Sequence, residues 1–77
     1  MNMWKLVIKV DSIVNDIQTV ANVATLVLGS ATSAMEWMQT PLDELNGVTP
    51  MSAIVDGRTR EVLTIIEKYE LDKLTSL

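Results

Sequence analysis

MWKLVIKVDSIVNDIQTVANVATLVL, residues 3–28, carries the periodicity that decides the fold. Met3, Leu6, Val10, Ile13, Ile17, Val20, Ala24 and Val27 recur at alternating steps of three and four. That spacing puts them on one stripe of an α-helix. Val14, Ala21 and Leu28 widen the stripe, as in a helix that faces a core. The same steps also make a heptad seam, which fits a helix pairing with a second copy. Under the first reading the stripe packs on its own domain. Under the second, Trp4, Leu6, Val10, Ile13, Ile17 and Val20 form a self-association surface. The first ten residues are ambiguous. Trp4, Leu6, Ile8 and Val10 alternate with Lys5 and Lys9 as a strand would, and Asp11 and Ser12 read as a helix N-cap. The sequence favours a helix over 12–28, with 1–11 either an extended arm or a helix extension.

Outward from this stretch, Gly29 reads as a helix stop, because glycine takes positive φ without a Cβ penalty. Ser30 or Ser33 caps the next helix; Ser33 with Glu36 fits a capping box. Ala31, Ala34, Met35 and Met38 share its apolar face, with Trp37 beside them as the expected core plug. Met35, Met38 and Met51 suit core filling more than an adaptable binding surface. Two Thr-Pro pairs, Thr40-Pro41 and Thr49-Pro50, each read as a helix start: threonine caps, and proline loses only an N–H that has no partner there. Asn46-Gly47 marks a tight turn, and Asp56-Gly57 stops a short helix over 50–55. A last helix runs from Thr59 to Leu71 or beyond, with Val62, Ile66 and Tyr69 on one face and Leu63, Ile65 and Leu74 flanking. The expected class is all-α: a compact bundle of about five short helices in one domain over 1–77, the first and last being the longest.

Composition narrows the function. The chain has 77 residues, 48% of them hydrophobic, with two Trp, one Tyr and no Phe. A core drawn from so few residues is modest, and small domains often bury a last apolar face on a partner. There is no Cys and no His. Thiolate sites, disulfides and the commonest general base and metal ligand are therefore excluded. We expect no enzyme, no cofactor and no metal. The net charge is −4, from six cations and ten carboxylates. The cations Lys5, Lys9, Arg58, Arg60, Lys68 and Lys73 are scattered, which argues against direct nucleic-acid binding. The stretch 17–35 is uncharged, but Gln18, Thr19, Asn22, Thr25, Ser30, Thr32 and Ser33 interrupt it, so a membrane span is not expected. No secretory signal is legible at the N-terminus. A cytoplasmic protein is the resulting expectation.

The middle of the chain has a recognisable order. Ala34-Met35-Glu36-Trp37-Met38-Gln39-Thr40-Pro41 is followed by Leu45-Asn46-Gly47-Val48-Thr49-Pro50, with Leu28-Gly29-Ser30 before and Gly57 and Val62 after. This ordered set resembles the C-terminal toxin-binding domain of Xre/ParS/MbcA-type antitoxins, over about residues 20–67. Gly29, Trp37, Pro41, Leu45, Gly47, Thr49, Pro50 and Gly57 are the matching, fold-defining positions. Leu28 stands where the family often has Phe, Leu42 where Asn is common, and the segment from Pro50 to Gly57 is short. The helix-turn-helix half of full-length members has no counterpart in residues 1–20.

The resemblance implies a protein that neutralises a RES-type, NAD-consuming toxin by forming a complex that blocks its active site. The toxin-contacting positions are then expected at the end of the last helix, at Tyr69, Glu70, Leu71, Leu74 and Leu77, where apolar residues remain after the core is served. Arg58 and Arg60 are added as candidate ion-pair partners. The alternative function is a self-associating structural or regulatory adapter with the same fold, a homodimer through the N-terminal helix.

Overall fold

A computed structural model describes residues 3–75; side chains are described for 11–75. Four α-helices and one 3-10 turn follow in order: α1 (Met3–Leu28), α2 (Ala31–Met38), the turn Asp43–Leu45, α3 (Pro50–Val55) and α4 (Thr59–Thr75). The all-α class holds, and α1 and α4 are the longest elements. The fifth expected helix is only this 3-10 turn. No strand forms among the described residues; one isolated antiparallel bridge joins Leu42 and Val48.

Positions 3–10 resolve toward helix. From Met3 onward α1 is continuous and does not begin at an Asp11 or Ser12 cap. Alternation of apolar residues over so short a window is a weak signal. The stripe of period 3.6 that continues into it decides the backbone instead.

The C-terminal half of that stripe makes the core. Val20 and Ala24 are fully buried, with Ala34 and Met38 of α2, Leu45, Ala53 and Ile54 of α3, and Val62, Ile65 and Ile66 of α4. Ile17, Val23, Val27 and Leu28 pack around them. The seam is thus an intradomain face from Ile17 onward, and Val20 keeps no exposed surface for a second chain. Three alanines in the core let the helices approach closely. No polar or charged side chain is buried among the described residues, so the core carries no desolvation penalty.

Local chemistry sets the joints. Gly29 ends α1 and donates its N–H to Thr25 O at 2.9 Å. Ser30 is the N-cap of α2, accepting from Ser33 N at 3.1 Å. Ser33 is therefore inside the helix, and the Ser33/Glu36 capping box does not form. Thr49 caps α3 by accepting from Ser52 N at 3.1 Å, with Pro50 in the first turn. Asp56-Gly57 closes α3 in a Schellman motif: Arg58 N donates to Ala53 O and Gly57 N to Ile54 O. Gly57 has φ +85°, a conformation that a Cβ would strain.

Two expectations are corrected. Thr40-Pro41 is not a helix start, because Thr40 Oγ1 donates back to Glu36 O at 2.7 Å and the 3-10 turn begins after Leu42. Trp37 is not the central plug. It is half-buried at the rim, whereas its neighbour Met38 is enclosed. Of the methionines, Met38 fills the core, Met51 packs against it and Met35 is 47% exposed.

Thr59 Oγ1 at the start of α4 donates to Asp16 Oδ2 at 2.9 Å. Lys73 Nζ near its end donates to Val27 O at 3.0 Å. α4 therefore runs in the same direction as α1. The part of α1 before Ile17 continues for about 20 Å beyond the packed core. This accounts for the 54 × 23 × 19 Å extents of the chain. No helix of the described residues is long and apolar enough to cross a membrane.

Met38→Ala should cost about 2–5 kcal/mol, the range for emptying an enclosed site. Met35→Ala should cost under about 0.5 kcal/mol, as surface changes do. Urea midpoints of the two variants check the pair, and equal losses would contradict the inward facing of Met38.

Candidate functional site

The surface around α4 carries most of the positions expected to meet a partner, and it falls into two regions. At the N-terminal end of the helix, Arg58 pairs with Glu61 one turn on. Arg60 lies exposed beside them. Together with Glu44, Asn46, Thr64 and Ile65 they line a shallow depression of about 560 Å³ between the 3-10 turn and α4. Its rim holds both signs of charge. Arg58 already has an internal carboxylate partner, so it offers an outside acid only part of its fork.

The second region is the C-terminal end of α4. Tyr69 is half-buried and stands edge-on to Trp37, ring centroids 6.1 Å apart and planes at 80°. Trp37 Nε1 donates to the Tyr69 hydroxyl at 3.5 Å, and that hydroxyl donates to Glu44 Oε2 at 3.4 Å. Both bonds are long and partly solvated, so each contributes little. The ring pair is the stronger element, because edge-to-face aromatics add about 0.5–1.5 kcal/mol beyond their buried area. Tyr69 thus ties α4 to α2 and to the 3-10 turn. The sequence places Tyr69 both on the core face with Val62 and Ile66 and among the partner-binding candidates; its two mates, 32 and 25 residues away, are not legible there.

Beyond Tyr69 the helix turns apolar residues outward. Leu71 is 61% exposed and Leu74 is 59% exposed. Three residues apart, they lie on adjoining parts of the face turned away from Val62, Ile66 and Tyr69. Glu67 and Glu70 each precede one of them by four residues, so a carboxylate flanks each leucine. Lys73 Nζ anchors this end to a terminal carbonyl of α1, a favourable partner for a cation. Glu70 is half-buried, and Leu77 lies outside the described residues.

The helix separates the two regions: Arg60 and Leu74 are about 21 Å apart along its axis. The structure therefore brings Tyr69, Glu70, Leu71 and Leu74 together and places Arg58 and Arg60 elsewhere. No group of three or more acidic side chains that could hold a metal occurs among the described residues. Surface apolar residues ringed by charge are features of protein recognition.

The comparison with known families fits this geometry. The family described as the antitoxin Xre/MbcA/ParS C-terminal toxin-binding domain matches residues 23–70, more than half of the chain. The chain belongs to that family. No curated protein matches it, and no solved structure matches it. The matched segment begins on the core stripe of α1 and ends at Glu70, so it contains the Trp37–Tyr69 pair. The Gly29, Thr49-Pro50 and Gly57 joints lie inside it as well. Leu71 and Leu74 follow directly after. Trp4, Leu6 and Val10, expected in self-association, have no described side chains. Ile13 is half-buried near the emerging end of α1.

Tyr69→Phe keeps the ring pair and removes only the two long hydroxyl bonds, so it should cost less than about 1 kcal/mol. Tyr69→Ala should cost at least about 2 kcal/mol, by loss of ring packing. Thermal melts of both variants, followed by Trp fluorescence, measure the split.

Proposed function

We propose that this antitoxin-family domain neutralises a RES-type, NAD-consuming toxin, and that the C-terminal end of α4 is the part that obstructs the route to the toxin's active site. One observation carries the placement: Leu71 and Leu74 expose most of their surface at a helix end whose opposite face is tied to α2 and α1 through Tyr69 and Lys73. Two leucines cost little in a folded surface and gain free energy through apolar burial once a partner closes over them. Glu67 and Glu70 suit a basic rim on that partner, and the net charge of −4 steers in the same sense. Arg58 and Arg60, at the other end of α4, would meet an acidic rim if the toxin extends that far. The domain acts by binding, in the cytoplasm, with no catalysis, cofactor or nucleic-acid contact of its own.

Co-expression with the RES-type product of a neighbouring gene tests the target. Growth and cellular NAD should recover only when this chain is present, and continued NAD loss would reject a RES-type target. The placement has its own test. Leu71→Glu with Leu74→Glu should leave the melting temperature nearly unchanged. The same pair should weaken the complex about 30-fold or more, in keeping with about 2 kcal/mol for a buried anchor. A double variant that still protects fully would move the contact off α4.

A further inference from the structure

We propose that Asn46 is a spontaneous deamidation site that the folded turn holds closed, so that its modification records the time a chain has spent with this turn open. The proposal stands apart from the toxin reading.

The chemistry comes from the pair itself. Asn46 is followed by Gly47, whereas Asn2, Asn15 and Asn22 precede Met3, Asp16 and Val23. Glycine has no Cβ to hinder its amide nitrogen or to restrict the backbone around it. In an open chain the Gly47 nitrogen loses its proton to solvent base and attacks Cγ of Asn46. The new N–Cγ bond closes a succinimide ring, and the side-chain nitrogen leaves with a proton as ammonia. Water then opens the ring at either carbonyl. Attack at Cγ gives aspartate in an ordinary backbone. Attack at the backbone carbonyl carbon gives isoaspartate, in which the chain runs through Cβ and Cγ. Water is the only co-reactant.

The fold opposes the first step. Asn46 has φ 58° and ψ 38°, and Gly47 has φ 83°. This is the left-handed pair of a tight turn, which Asn and Gly adopt at least cost. At this ψ the Gly47 nitrogen lies across the Cα–C bond from Cβ, whereas ring closure needs the two nearly eclipsed. Gly47 N–H, the attacking group, donates to Leu42 O at 2.9 Å, and Val48 N–H donates to Leu45 O at 3.2 Å. Rotation about ψ of Asn46 breaks both bonds. Leu45, 1% exposed, seats the turn in the core, and Leu42 N–H donates to Val48 O at 3.1 Å across its base. The Asn46 side chain is itself exposed, so water has access and backbone geometry is the barrier. Ring closure therefore waits on local opening, whose population sets its rate.

The two products differ in what they do to the fold. Aspartate tolerates the left-handed conformation as asparagine does, so the turn re-forms. Isoaspartate adds a methylene to the chain between Leu45 and Val48. The turn bond and the seat of Leu45 are then no longer compatible, and a chain that has carried the open turn too long refolds poorly.

The full chain is held at mildly alkaline pH, folded in buffer and unfolded in urea. Fragmentation mass spectrometry follows the mass gained when –NH2 becomes –OH at each asparagine. The unfolded chain should gain it at Asn46 ahead of Asn15 and Asn22. The folded chain should gain it at least about tenfold more slowly. Urea below the unfolding midpoint should raise the rate in step with hydrogen exchange of the Gly47 amide. In full urea Gly47→Ala should slow the gain, because its methyl hinders the attack. After urea is removed, aged chains should separate into one population that melts like Asn46→Asp and one that melts lower. Equal rates in buffer and urea would overturn the protective role of the turn. A gain in urea that is no faster at Asn46 than at the other asparagines would overturn the site.

Discussion

The structure depends on one stripe of α1, the face that carries Val20 and Ala24. Helices α2, α3 and α4 all touch α1, and each contributes its most enclosed residues to that face. A chain of 77 residues with no Phe has to build its interior from aliphatic side chains. Here alanines at 24, 34 and 53 set short distances between helices, and Met38, Leu45, Ile54 and Ile66 fill the space between. With no polar side chain buried among the described residues, stability comes from apolar burial and close packing. The many caps then choose the one arrangement in which those faces meet. Thr49, Ser30 and Gly57 contribute direction more than energy.

That division explains what could be read in the sequence. Joints set by local chemistry were legible: Gly29, Thr49-Pro50 and Asp56-Gly57 stand where the backbone turns, because capping and positive φ depend on a few adjacent residues. The core face of α4 was legible for the same reason, since Val62 and Ile66 follow the helical period. Thr40-Pro41 was misread because one dipeptide can close a helix as well as open one. Only the preceding turn, where Glu36 O accepts the Thr40 hydroxyl, decides between them. Trp37 was misread because size suggests a plug, while the angular position on α2 gives that place to Met38. Residues 3–10 were undecided because period 2 and period 3.6 overlap in a short, largely apolar run.

The candidate site was legible only in part, and the reason is range. Periodicity says which residues of α4 face out, so Leu71 and Leu74 stood out as apolar residues left over. It says nothing about partners 25 to 46 residues away, such as Glu44 and Trp37 against Tyr69, or Val27 against Lys73. The inward facing of Tyr69 was therefore legible from its place beside Val62 and Ile66, but its partners were not. Arg58, read as free to meet an acid, has Glu61 beside it. These contacts also fix the end of α4 from which the two leucines project, and a pre-formed helix end loses less entropy on binding than a loose tail would.

The parallel course of α1 and α4 also separates the two ends of the molecule. The emerging half of α1 leaves the core at the end where Thr59 begins α4. Leu71 and Leu74 lie at the opposite end, beside Val27 and Lys73. Position 10 of α1 and Val27 are about 25 Å apart along the helix axis. The core joins the C-terminal half of α1 to α2, α3 and α4, so Leu71 and Leu74 project from the end of α4 that lies beside the C-terminus of α1.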